Sequence, residues 1–74
     1  MKGMLNNMKL DEFISHIKHS SVNIKIIGSD TCHDIYNGSI GTYQHWIHKN
    51  EYNDATIDVI TFNKGVMNIF LEGK

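Results

Sequence analysis

The side chains best able to do chemistry in this sequence are its five histidines and its single cysteine, Cys32. His16 and His19 are spaced i, i+3. His45 and His48 repeat that spacing, and Cys32 and His33 are adjacent. On a helix, residues three apart share a face, so each pair could offer two imidazoles to one metal ion. A third ligand from Cys32 or His33 would complete an open site. This makes a metal-binding module the alternative reading. The zinc patterns CxxC and HExxH are absent, and both pairs fall on helix faces that the apolar pattern assigns to solvent. The expectation is therefore surface histidines, no metal and no cofactor.

Nucleophilic catalysis needs a thiol and a base within reach of each other. Cys32 and His33 read as strand neighbours, whose side chains diverge to opposite faces, which leaves His16 or His45 as the base. A free cysteine is more often a small buried hydrophobe. Asp30, Asp34 and Asp54 sit at turns and strand ends, where aspartate serves the local backbone. Gly38-Ser39-Ile40-Gly41 precedes a helical stretch, yet it lacks the GxxxxGK[ST] phosphate loop and reads as a turn. A domain this small also has little room for a pocket of ~300 Å³. No catalytic residue is assigned, and the chain is expected not to be an enzyme.

The elements that position these residues follow from periodicity. Leu10, Phe13, Ile14 and Ile17 form one apolar stripe and predict a helix over residues 8–19, capped by Asn7. Asp11 and Glu12 suit its first turn, and Lys18 and His19 its end. Val22, Ile24 and Ile26 alternate with Asn23 and Lys25 and predict a half-buried strand over 22–27. A second strand is predicted over 31–37, with either Ile35 or Tyr36 facing inward, followed by an Asn37-Gly38 turn. Tyr43, Trp46 and Ile47 predict a helix within 39–50, capped by Ser39 or Thr42. Two runs flanking Asn63-Lys64-Gly65 predict a hairpin over 55–71. The order α-β-β-α-β-β predicts an α+β domain over residues 8–74, with a four-stranded antiparallel sheet and two short helices. Residues 1–7 read as an N-terminal extension, with Met8 a natural start.

Composition narrows the partners. All seven basic residues are lysine, against eight acids. Without arginine or a lysine cluster, the electrostatic term that dominates nucleic-acid affinity is missing, so no direct nucleic-acid contact is expected. No stretch approaches the ~20 apolar residues of a membrane span, and no secretory leader is seen. A lone thiol fits a reducing cytoplasm. A chain of this length buries only about 60% of its unfolded surface, so a homodimer partner would help it.

The closing hairpin is apolar on both sides. Regular alternation places Ile57 and Val59 on one face and Ile60 and Phe62 on the other. With both helices on one side of the sheet, Ile60, Phe62, Val66 and Phe70 would form an exposed apolar patch, and such patches mark interaction surfaces. With a helix on each side, the patch would be covered. Tyr36, Tyr43, Trp46, Tyr52, Phe62 and Phe70 are many large rings for a small core, and aromatic residues are enriched at interface hot spots. Tyr43 and Trp46 are assigned to the core.

The segments MKLDEF, VNIKIIG, IYNGSIG, IDVIT and NKGVMNIFLEGK resemble small phage and prophage proteins of low-GC Gram-positive bacteria in layout and composition. That resemblance implies an anti-CRISPR or other anti-defence inhibitor, acting in the bacterial cytoplasm by binding a host protein without catalysis. Ile60, Phe62, Val66 and Phe70 are the candidate partner-binding residues. A self-associating structural protein is the remaining reading.

Overall fold

The computed structural model describes residues 8–74. The expected Asn7 cap and the N-terminal extension lie outside them. The elements are α1 (Leu10–Ser15), β1 (Asn23–Gly28), β2 (Asp34–Ser39), α2 (Ile40–Tyr43), α3 (Lys49–Tyr52), β3 (Ile57–Asn63) and β4 (Val66–Leu71).

Helix α1 is half the expected length. Lys9 occupies its N-cap position. A lysine side chain cannot accept a hydrogen bond, so only the reciprocal half of a capping box forms: the Lys9 N–H donates to Glu12 Oε1 at 3.2 Å. At the other end, Ser15 Oγ and His16 Nδ1 both donate to the Glu12 carbonyl at 2.7 Å. These side chains take the acceptor that the next helical turn would use, so the helix stops. Ile17 still packs against the core from the following loop.

The four strands form one mixed sheet in the order β2-β1-β4-β3. The expected antiparallel sheet is correct only within each hairpin. The hairpins join through β1 and β4, which run parallel with Ile24 beside Met67 and Ile26 beside Ile69. Composition accounts for part of this: β4 is the most apolar strand, β1 contributes Ile24, Ile26 and Ile27, and the two take the centre, where both edges are hydrogen-bonded. β2 carries Asp34 and Asn37, and β3 carries Asp58, Thr61 and Asn63, residues that tolerate an edge. Residues 40–56 then carry the chain from one edge to the other, a span long enough for such a crossing.

That crossover is two single helical turns, where one helix is expected within 39–50. Ser39 does cap the first: its Oγ accepts the Thr42 N–H at 3.1 Å. The turns are separated by residues 44–48. The break removes the helical phase, and Ile47, expected to share the Tyr43 and Trp46 face, is 87% exposed.

Strand β2 runs through the expected Asn37-Gly38 turn to Ser39. Gly38 is there for space. A Cβ on it would lie 2.7 Å from Tyr36 Oη, because the Tyr36 ring folds back over it. The Tyr36 hydroxyl donates to the Ser39 carbonyl at 2.8 Å. Tyr36 is the inward residue of this strand, and a bulge at Ile35 separates it from the loop before it.

All the helical segments pack on one face of the sheet. Leu10, Ile14, Ile40 and Tyr43 meet Ile24, Ile26, Tyr36, Ile57, Ile69 and Leu71 in a single buried cluster. Each such aliphatic side chain contributes about 1.5–3 kcal/mol against the entropy of ordering the chain. Backbone bonds close the layer: the Leu10 N–H donates to the Ala55 carbonyl and the Ile57 N–H to the Met8 carbonyl, both at 2.9 Å. Lys49 Nζ reaches Asp11 Oδ1 at 3.4 Å and ties α3 to the start of α1.

Candidate functional site

The titratable side chains do not assemble. Both histidine pairs lose the helix that would align them. His16 is the C-cap of α1 and His19 lies beyond it; His48 is the N-cap of α3 and His45 precedes it. His48 Nδ1 lies 2.6 Å from Glu51 Oε2, and His33 Nδ1 bonds the Thr31 hydroxyl. Among the described residues there is no group of three or more His, Cys, Asp or Glu side chains that could hold a metal ion.

Cys32 and His33 are not strand neighbours; both are exposed in the β1–β2 loop, where Cys32 has φ of 57°. The expectation of a buried cysteine is therefore corrected, and the Cys32 thiol points only to the Ser29 carbonyl, at 3.9 Å. No cavity is found among the described residues.

The aromatic side chains separate into a cluster and two outliers. Tyr36, Tyr43, Trp46 and Tyr52 lie on the helical side, with ring centroids 5.1–5.9 Å apart from Tyr36 through Trp46 to Tyr52. Trp46 and Tyr52 stack at 15°, and Tyr36 meets Tyr43 edge-on at 74°. Tyr43 is fully buried, and its hydroxyl finds no hydrogen-bond partner among the described residues. Burial, with the negative charge of Asp11 nearby and Tyr36 beside it, pushes the Tyr43 phenol up to about 12. Burial also raises the Tyr36 phenol, while its hydrogen bond with Thr42 works the other way.

The outliers are Phe62 and Phe70, and the hairpin register decides where they point. The turn is Lys64-Gly65, with φ of 54° and 78°. Two positive φ values are what a two-residue type I′ turn demands. Asn63 therefore opposes Val66, Phe62 opposes Met67, and Ile60 opposes Ile69. Directly opposed residues share a face. Ile60 and Phe62 thus lie on the helix-covered side with Met67 and Ile69, while Val66 and Phe70 lie on the open side. The four expected patch residues do not share a face.

A bulge at Asp58 explains the other change. Ile57 opposes Leu71, but Val59 opposes Phe70. The extra residue turns Val59 away from Ile57, so the two are not on one face as regular alternation predicts. On the open side, a row of Ile27, Phe70 and Val59 now crosses three adjacent strands. Val66 lies farther along the same face. None of these four belongs to the core cluster or packs against it, although Ile27 is itself buried at 9% exposure. The next row is polar: Asn37, Lys25, Asn68 and Thr61. Lys25 Nζ reaches Asp34 Oδ2 at 3.5 Å.

Val66 and Phe70 are therefore on the uncovered face, and Ile27 and Val59 are the members that pattern reading misses. Val59 is 44% exposed, and Phe62, at the outer end of β3, is 73% exposed. No helix among the described residues is long and apolar enough to cross a membrane. Compared with protein-family models, curated proteins and solved structures, the chain has no significant match.

Proposed function

We propose that this chain is a small non-enzymatic binding protein that docks on a host protein through the open face of its sheet and blocks it, as an anti-CRISPR or other anti-defence inhibitor does. The observation that carries the reading is the apolar row Ile27–Phe70–Val59 on a sheet face that no helical segment among the described residues covers, with Val59 44% exposed and Ile27, at 9%, its buried end. A one-sided sheet ordinarily alternates apolar residues inward with polar residues outward. Apolar side chains aligned across the outward face suit a protein partner, and Lys25, Asn68 and Thr61 supply a polar border. The resemblance to phage and prophage proteins supports a bacterial host protein as that partner, met in the cytoplasm.

The test is to mix the purified chain with nuclease-type defence complexes and to follow co-migration and nuclease activity together. The chain is expected to co-migrate and to inhibit. Val59→Lys, which puts a charge in the row at an exposed position, is expected to weaken binding at least tenfold, about 1.4 kcal/mol. A chain that neither co-migrates nor inhibits, or a Val59→Lys variant as potent as the parent, would count against the proposal.

A further inference from the structure

The outer edge of β3 has a feature that the open face does not explain. In a two-residue hairpin the closing pair, here Asn63 and Val66, is hydrogen-bonded, and bonded and non-bonded pairs alternate from there. Thr61 opposite Asn68 is then bonded, while Ile60 and Phe62 are not. The N–H and C=O groups of Ile60 and Phe62 therefore point away from β4, out of the sheet. Two bonds fix the same phase at the far end: the Glu72 N–H donates inward to the Thr56 carbonyl, and the Ile57 N–H donates outward to the Met8 carbonyl, each at 2.9 Å. Among the described residues, Met8–Leu10 covers the edge around Thr56, through one bridge from Lys9. Past Asp58, no described residue covers the edge, which carries Phe62, 73% exposed.

We propose that this edge pairs with the same edge of a second copy of the chain, antiparallel, about a two-fold axis at Thr61. In that register Ile60 faces Phe62 of the other copy, and both residues' outward N–H and C=O groups are satisfied in each chain. An axis at Ile60 or at Phe62 would satisfy only one of the two residues by this pairing. The axis at Thr61 also sets Asp58 opposite Lys64 of the other copy, twice. These are the only charged residues from Ile57 to Val66, and they lie equally far from Thr61. Ser29 Oγ, beyond β4 at the end of β1, donates to Asp58 Oδ2 at 2.8 Å, so the carboxylate leaves that bond to meet Lys64 of the other copy. The side chain of Phe62 comes to lie beside Ile60 of its partner, on the side of the sheet already occupied by the helices. The self-pairing uses the β3 edge and not the open face, so it holds or fails independently of the host-protein reading.

The experiment uses the chain alone. Sedimentation from micromolar to millimolar concentration is expected to show a monomer–dimer equilibrium, weakened by salt. Asp58→Lys and Lys64→Asp are each expected to raise the dimer Kd about tenfold, since each turns two attractive pairs into two repulsive ones. An equimolar mixture of the two variants is expected to recover the parental affinity, because every charge then meets its opposite. This recovery also shows that neither variant has lost its fold. A Thr61→Cys change in a Cys32→Ser background is expected to form a disulfide-linked dimer on mild oxidation, because non-hydrogen-bonded partners across the axis approach to about 4.5 Å between Cα atoms. A monomer throughout the concentration range, a Kd indifferent to both charge reversals, or failure of the mixture or of the Thr61 cross-link would each overturn the proposal.

Discussion

Tyr43 is the residue whose chemistry departs most from what its type promises. It packs against Tyr36 and Trp46 and lies under Lys49, whose Nζ is 5.8 Å from its ring centroid. Its hydroxyl is buried without a partner among the described residues. A buried, unpaired hydroxyl costs about 1–3 kcal/mol of desolvation. Tyr43→Phe is therefore expected to raise stability by about 1 kcal/mol, measured by urea denaturation at pH 7. The raised phenol pKa has a second consequence. An unfolded tyrosine ionises near 10, and the folded one near 12. The stability held by the neutral phenol is complete below pH 10. It is lost as pH rises from 10 to 12, because the unfolded state releases its proton first. The parent should lose stability across that window, and Tyr43→Phe should lose markedly less. Equal loss in both proteins would show that Tyr43 is not the group responsible. The position of Tyr43 in the core is legible from its spacing with Trp46. The fate of its hydroxyl is not, because it depends on which groups the crossover brings above it.

At the scale of elements, β2 shows how one residue pair shapes a strand. Asn37-Gly38 has the composition of a turn, yet the strand continues through it. Local composition loses here because Gly38 serves Tyr36: only a position without Cβ lets the ring fold back and its hydroxyl reach Ser39. Gly38→Ala is expected to cost about 1–3 kcal/mol by overpacking, read from the urea midpoint. Combining it with Tyr36→Phe should cost less than the sum of the two single changes, because the nearest clashing atom is then gone. Strict additivity would mean that the two residues do not interact. The hairpin and the Ser39 cap are legible for a related reason: their signals act within a few residues. The bulges at Ile35 and Asp58 are not legible. Each arises from how a strand fits its neighbours, and each turns later side chains to the other face.

At the scale of the molecule, the sheet divides its apolar residues between a closed core and an open row. The two sets should respond differently to substitution. Ile69→Ala, in the central strand and fully buried, is expected to cost about 2–5 kcal/mol by leaving a cavity. Val59→Lys, half-exposed on the other face, should change stability by less than about 1 kcal/mol. Thermal denaturation of both variants checks this, and a large loss from Val59→Lys would place Val59 in the core. By itself, the sequence determined the class of element in most stretches: an apolar stripe at 10–17, alternation at 22–27, a cap at Ser39 or Thr42 and a turn within Asn63-Lys64-Gly65. These are set by dihedral preferences and short-range hydrogen bonds, which operate along the chain. Only the tertiary structure decided that β1 and β4 lie parallel at the centre, that the crossover breaks in two, and that Ile27, Phe70 and Val59 share a face while Ile60 and Phe62 do not. Those outcomes depend on which strand edges compete for the middle of the sheet and on a single inserted residue at Asp58. Both are settled between segments distant in the chain, where local periodicity carries no information.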